Sequence, residues 1–180
     1  MKKKLLLILL TLFFVAGCGA VEIPENNTNE NGNKNEVADP TAFKIKDKEF
    51  HLDTDKEFKG LKYKTSSEFR EIDNLTPSSV YMQYNYQPDD SANYFYFRVL
   101  YYKGKNIEFA KKDYIGEEEK FEFKDVKIND IDIKMIDENR TDGTIHHYFI
   151  TKDGSTFILS FISQNDIEKF EKMVLDTIGF

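Results

Sequence analysis

Two Asp-Gly pairs, Asp142-Gly143 and Asp153-Gly154, punctuate the last third of the chain and constrain its fold more than any other feature. Glycine accepts the positive φ that a two-residue hairpin turn requires, and Asp-Gly is among the strongest short-range signals for one. The runs around them, residues 131–135, 145–151 and 156–162, are rich in β-branched and aromatic residues. Ile131, Ile133 and Met135 alternate with polar residues, the period of a strand with one buried face. Three such runs joined by tight turns predict an antiparallel meander. Residues 163–166 then resemble a capping box with Asp166 in the place of Glu. Ile167, Phe170, Val174 and Ile178 follow at helical spacing, so a final helix is expected to lay one apolar face on the sheet.

The earlier chain reads in the same way. Phe43, Ile45, Phe50 and Leu52 flank Asp47-Lys48 as a first hairpin, and residues 60–64 form a short strand. Thr65, Ser66 and Ser67 precede Glu68-Phe69-Arg70 as hydroxyls precede a helix, which predicts a short helix ending before Pro77. Residues 80–86 and 94–102 are two strands separated by a turn-forming stretch. The second is apolar or aromatic on both faces except at Arg98, as befits a central strand covered on both sides. Residues 106–114 read as a helix, and Phe121, Phe123, Val126 and Ile128 as a further strand. The expected class is α+β: a mostly antiparallel β-sheet flanked by helices, spanning residues 43–180.

The N-terminus has a different texture. Lys2, Lys3 and Lys4 precede an apolar run over residues 5–16, broken only by Thr11, and Ala16-Gly17 stand directly before Cys18, the single cysteine. This is the layout of a secretory signal peptide. The run falls short of the roughly twenty apolar residues that span a bilayer. Val15-Ala16-Gly17-Cys18 resembles the lipobox of bacterial lipoproteins, with Val15 where that family more often has Leu. The resemblance implies cleavage between Gly17 and Cys18, a diacylglyceryl group on the Cys18 thiol, and residence on the outer face of the bacterial cell membrane. Two acyl chains suffice for stable anchoring, at about 0.8 kcal/mol per buried methylene.

Residues 18–42 then form an Asn- and Glu-rich stretch without apolar periodicity, expected to be a disordered linker. Its reach is at most about 80 Å and averages nearer 27 Å as a flexible coil. Three of the 25 basic residues precede Cys18, which leaves 22 against 32 acidic residues, a net charge of about −10. That argues against nucleic acid as a partner and against a polybasic contact with anionic lipid, so the membrane is met through the diacylglyceryl-cysteine alone. Oligomeric state leaves no mark in the sequence.

The order of elements resembles the PsbP-like fold, which several bacterial lipoproteins share. The resemblance rests on the entry from Gly60-Leu61-Lys62-Tyr63-Lys64 into Thr65-Ser66-Ser67-Glu68-Phe69, and on the 94–102 strand leading into a short helix. It rests also on the hairpin of Tyr148-Phe149-Ile150 with Phe157-Ile158-Leu159-Ser160-Phe161, which feeds a helix ending near Ile178-Gly179-Phe180. The family's Pro and Trp at the first entry are absent here. The resemblance covers residues 43–180, implies a sandwich with a binding or assembly role, and brings no catalytic residues with it.

Chemistry-bearing motifs are few. His146 and His147 are adjacent on a predicted strand and so point to opposite faces, unsuited to holding one metal ion. Counted from Asp137 as a calcium loop, Thr141, Asp142 and Tyr148 stand where Asp or Asn, Gly and Glu are needed, so residues 137–143 read as a solvated hairpin turn. Nucleophile elbows, His-Glu-x-x-His and phosphate loops are absent, and neither a metal nor another cofactor is expected. Tyr81, Tyr84, Tyr86, Tyr94 and Tyr96, with Tyr101 and Tyr102, crowd two strands and are either packing residues or a recognition surface. The expectation is a non-catalytic binding or assembly module for a membrane-proximal protein partner. The alternatives are a small-molecule or glycan receptor with a tyrosine-rich pocket and, last, a cell-envelope hydrolase built on converging carboxylates.

Overall fold

The computed structural model describes residues 39–45, 47–86, 95–116, 121–141, 143–163 and 168–180. Gly17, Cys18, Tyr94, Asp142, Ile167 and the side chain of Tyr86 lie outside the described residues, as does residues 1–38 as a whole.

The strands are β1 (Ala42–Ile45), β2 (Lys48–His51), β3 (Thr54–Phe58), β4 (Leu61–Thr65), β5 (Arg70–Leu75), β6 (Val80–Tyr86), β7 (Phe95–Tyr102), β8 (Lys124–Ile128), β9 (Ile131–Arg140), β10 (Gly143–Lys152) and β11 (Ser155–Ser163). The helices are α1 (Ile107–Ile115), between β7 and β8, and α2 (Glu168–Leu175), after β11. Seven strands form one antiparallel sheet in the order β5-β6-β7-β11-β10-β9-β8, and β1-β2 and β3-β4 are separate hairpins. The architecture is thus α+β, dominated by antiparallel sheet. Among the described residues no helix is long and apolar enough to cross a membrane.

Tight turns with two positive-φ residues set three of the hairpins: Lys59-Gly60, Asn129-Asp130 and Asp153-Gly154. Paired positive φ matches the right-handed twist of the strands they join. The expected meander is present as β9, β10 and β11, and β7 sits inside the sheet, one face buried at Phe95, Phe97 and Val99 and the other covered at Leu100 and Tyr102 but half-buried at Tyr96 and Arg98.

Alternation along the strands sends side chains into two apolar layers. Phe95, Phe97, Val99, Ile133, Tyr148, Ile150, Phe157, Leu159 and Phe161 face the hairpins and α2. Leu100, Ile136, Phe149 and Ile158 face α1. On the first side Phe170 of α2 is the hub. Its ring centroid lies 4.7 Å from that of Phe43, 5.1 Å from Phe95, 5.7 Å from Phe69, 5.9 Å from Phe161 and 6.1 Å from Phe97. Such aromatic pairs contribute about 0.5–1.5 kcal/mol each beyond area burial. Val174 and Ile178 are buried as expected, Ile178 just past the helix end.

Three expectations are corrected. Residues 70–75 form strand β5, not a helix. Ser67 donates its N–H and its hydroxyl to Asp53 at 2.8 and 2.6 Å, which removes it as a cap. The segment has no helical apolar stripe, whereas pairing with β6 satisfies its backbone. Phe121 and Phe123 precede β8 and face the α1 layer, while Val126 and Ile128 face the other; the two pairs differ in parity, so strand alternation alone cannot place all four on one face. Residues 137–140 belong to β9 and are not a solvated turn; Asp137 and Glu138 are half-buried beside the two histidines.

Phe170→Ala should cost about 3–5 kcal/mol in urea unfolding, as for a fully buried aromatic. Leu75→Ala, at 73 % exposure, should stay within about 0.5 kcal/mol.

Candidate functional site

Helix α1 covers only part of its face of the sheet. Asn106 caps it, accepting from the Phe109 N–H at 2.9 Å, and Ala110 is fully buried, which lets the helix lie close. Asp113 pins it by accepting from Tyr102 at 3.0 Å and Ser78 at 2.9 Å. Those contacts set Tyr114 over a polar row that crosses the sheet.

Register builds that row. Gln83 of β6 pairs with Arg98 of β7, Arg98 with Ser160 of β11, and Ser160 with His147 of β10. Gln83 Nε2 donates to Asn85 Oδ1 at 2.7 Å, which leaves Oε1 to accept from Arg98 Nε at 2.9 Å and Nη2 at 2.6 Å. Arg98 Nη1 donates to the Tyr114 hydroxyl at 3.4 Å. The rings of Tyr81, Tyr96 and Tyr114 surround the guanidinium, with centroids 4.8, 5.1 and 6.0 Å from Cζ. Arg98, Tyr81, Tyr96 and Tyr114 are each half-buried, so the cluster reaches solvent.

The inner half of the row is sealed. His147 is 1 % exposed and Ser160 0 %. The His147 ring lies 2.8 Å from Ser160 Oγ through Nδ1 and 3.0 Å from Glu138 Oε2 through Nε2, with Tyr114 edge-on at 5.5 Å. Burial pushes the His147 pKa down, against the upward pull of Glu138. Glu138 is desolvated too, but hydrogen bonds from Arg140 and His147 hold its pKa below the ordinary value. The chain Ser160–His147–Glu138 has the residue types of a nucleophile, base and orienting acid. Ser160 has no solvent-exposed surface and sits mid-strand with both neighbours paired, so a substrate carbonyl has no approach to it. Its work is to satisfy a buried imidazole beneath Tyr114.

On the opposite face His146 meets a second cluster. Its Nδ1 lies 2.8 and 2.9 Å from the two oxygens of Glu171 on α2, and its Nε2 is 3.8 Å from Asp137 Oδ1. Tyr148 donates to Glu171 as well, and burial together with that carboxylate pushes the tyrosine pKa far up. The hydrogen bond to Glu171, then the nearby charges of Glu171, Asp137 and Glu168, raise the His146 pKa against partial burial. A cleft of about 330 Å³ opens beside this cluster, between Ile128, Lys172 and Asp176. Its one buried carboxylate, Glu171, is engaged at both oxygens. Among the described residues no group of three or more His, Cys, Asp or Glu is placed to hold a metal ion.

Strand alternation divides the tyrosines, for which packing and a recognition surface are the two expectations. Tyr81 and Tyr96 stand at Arg98. Tyr84 is 1 % exposed on the other side, hydrogen-bonded to Tyr63 at 2.5 Å, its pKa pushed up to about 12 mainly by burial. Tyr101 and Tyr102 pack in opposite layers. Sequence reading missed the centre of the group. Arg98 was visible as the one charge in a two-faced apolar strand, with Tyr96 two positions before it, whereas Gln83, Tyr114 and Ser160 depend on register and on where α1 lies.

Comparison with known proteins adds little. No family model matches the chain, and no curated protein matches it. A crystal structure of a Bacteroides thetaiotaomicron protein is similar at 20 % identity and a TM-score of 0.43, over 66 % of this chain and 44 % of that one. The chain therefore spans less than half the length of that protein.

The two histidines should act on stability with opposite signs. The raised His146 value gives a contribution complete below pH 6.5, the ordinary value, and lost as pH rises through the folded value. The lowered His147 value gives stability complete above pH 6.5 and lost as pH falls. In urea unfolding across pH 5–8, the deficit of His146→Gln should shrink with rising pH and that of His147→Gln should grow. Parallel profiles would contradict both assignments.

Proposed function

We propose that the chain is a lipid-anchored lipoprotein of the outer membrane face whose domain is a non-catalytic binding or assembly module for a membrane-proximal protein. The observation that carries the reading is the half-buried Arg98, held by Gln83 among Tyr81, Tyr96 and Tyr114 without a carboxylate partner among the described residues. Arginine and tyrosine are enriched where protein surfaces meet, because each offers a large contact area with polar ends. The lipobox-like Val15-Ala16-Gly17-Cys18 supports the address, with Cys18 as the lipidated residue and residues 18–42 as tether.

The finer reading of the domain as a PsbP-like sandwich is part of this proposal. Strand β7 leading into α1, then a meander feeding α2, supports it; strand β5 in place of a helix at the first entry is the departure. The rival reading, a receptor for a small molecule, is favoured by the same tyrosine-walled arginine.

Two measurements test the proposal in cells. Cys18→Ala should abolish lipid labelling and release the protein from the membrane fraction; retention with unchanged processing contradicts the anchor. A photo-crosslinking residue at Tyr96 should give a discrete protein adduct in intact cells, and the same residue at Lys127, on the edge hairpin, should not. Equal adduct patterns at both positions contradict a recognition face at Arg98.

A further inference from the structure

We infer that Arg98 is the specificity-determining residue of this face and that it takes a carboxylate, edge-on. The inference rests on the reading of the Arg98 cluster as a recognition face, and names the group it recognises.

The donor count leads to it. A guanidinium has five N–H groups. Nε and one N–H of Nη2 go to Gln83 Oε1, and one N–H of Nη1 goes to Tyr114. Among the described residues, one donor on each terminal nitrogen is left without an acceptor. Two donors on one rigid plane match the two oxygens of a carboxylate.

The surroundings narrow the ligand. The rings of Tyr81 and Tyr96 lie against the guanidinium and Tyr114 meets it through its hydroxyl, so a ligand arrives at the remaining edge, in plane, where a planar carboxylate fits. A phosphate brings more charge and further oxygens, with no second cation bonded into this cluster among the described residues. The chain from Cys18 onward carries a net charge of about −10, which repels dense polyanions at long range. A single negative group escapes most of that cost.

The side chain is also pre-organised. Gln83 is oriented by Asn85, and Arg98 is held by Gln83 and Tyr114, so binding freezes few rotamers. In a chain with only three arginines and an excess of acid, an arginine with no carboxylate partner among the described residues is positioned for one from outside. That carboxylate is borne either by a partner protein, as a side chain or chain terminus, or by a small molecule.

The test uses the lipidated chain in neutral detergent micelles, with benzoate and inorganic phosphate as probes and the Arg98 Nε–H resonance as readout. Benzoate should shift that resonance saturably, and phosphate should bind about tenfold more weakly or worse, the worth of one charge-assisted hydrogen bond. Arg98→Lys keeps the charge and loses the fork, and should weaken benzoate by about tenfold or more. Gln83→Glu supplies an internal carboxylate and should abolish benzoate binding while the fold, followed by its unfolding midpoint, is retained. This second variant keeps the test sound if Arg98→Lys does not fold.

The absence of a saturable benzoate shift overturns the inference, as does equal binding by Arg98→Lys or by phosphate. If benzoate fails while the Tyr96 adduct persists, the carboxylate assignment falls and the recognition face stands. If benzoate binds and displaces the adduct, the partner protein supplies the carboxylate. If it binds where no adduct forms, the carboxylate assignment stands and the receptor reading replaces the protein partner.

Discussion

Phe170 and Glu171, neighbours on α2, fix the arrangement on which the rest of the domain depends. Phe170 enters a layer of five aromatic rings drawn from the first hairpin, the 66–69 connection and the central strands. Glu171 carries a buried carboxylate into the same contact, where His146 and Tyr148 meet it. A buried carboxylate without such partners would cost several kcal/mol. The pair therefore sets both the depth and the register of α2. Asn129, in the β8–β9 turn, closes the far end by donating to the carbonyls of Leu175 and Asp176 at 3.2 and 2.9 Å.

With one face closed by that contact, the other face carries the Arg98 cluster proposed as the recognition site. α1 is short and covers the apolar centre of the sheet but not Arg98, which stays at the helix margin under Tyr114. The buried Ser160–His147–Glu138 chain next to it gives the patch a rigid floor. Neutral His147 accepts from Ser160 and donates to Glu138, a tautomer in which each polar atom has a partner. Rigidity of this kind is what a pre-formed binding edge needs, because the side chains that meet a ligand are already held.

The parts of the fold that were legible in the sequence are those governed by local chemistry. Asp153-Gly154 gave its turn because only a few residues accept two successive positive φ values. Phe170 and Val174 declared a helix face by spacing, and adjacency alone placed His146 and His147 on opposite sides. What failed depended on distant partners. Ser67 looked like a cap until Asp53 claimed it. Asp137 and Glu138 looked like a solvated turn because their histidines lie on the next strand. Tyr81, Tyr84 and Tyr96 looked alike by composition, and strand alternation, with the pairing of β6 to β7, assigned Tyr84 to the core and the other two to Arg98. The site was half legible for the same reason: its tyrosines are a local pattern, but Gln83 and Tyr114 reach Arg98 only through the completed sheet and the docked helix.

The proposed role requires Arg98 to be open in the free protein and occupied at the membrane. Arginine-selective dicarbonyl labelling reads that directly, because it requires access to both terminal nitrogens. The chain has three arginines, Arg70, Arg98 and Arg140, so two serve as internal references. Followed by mass spectrometry, Arg98 should be modified in the purified lipidated protein and protected in intact cells, with Arg70 and Arg140 labelled alike in both. Equal labelling of Arg98 in the two states, or none in the purified protein, would contradict the account.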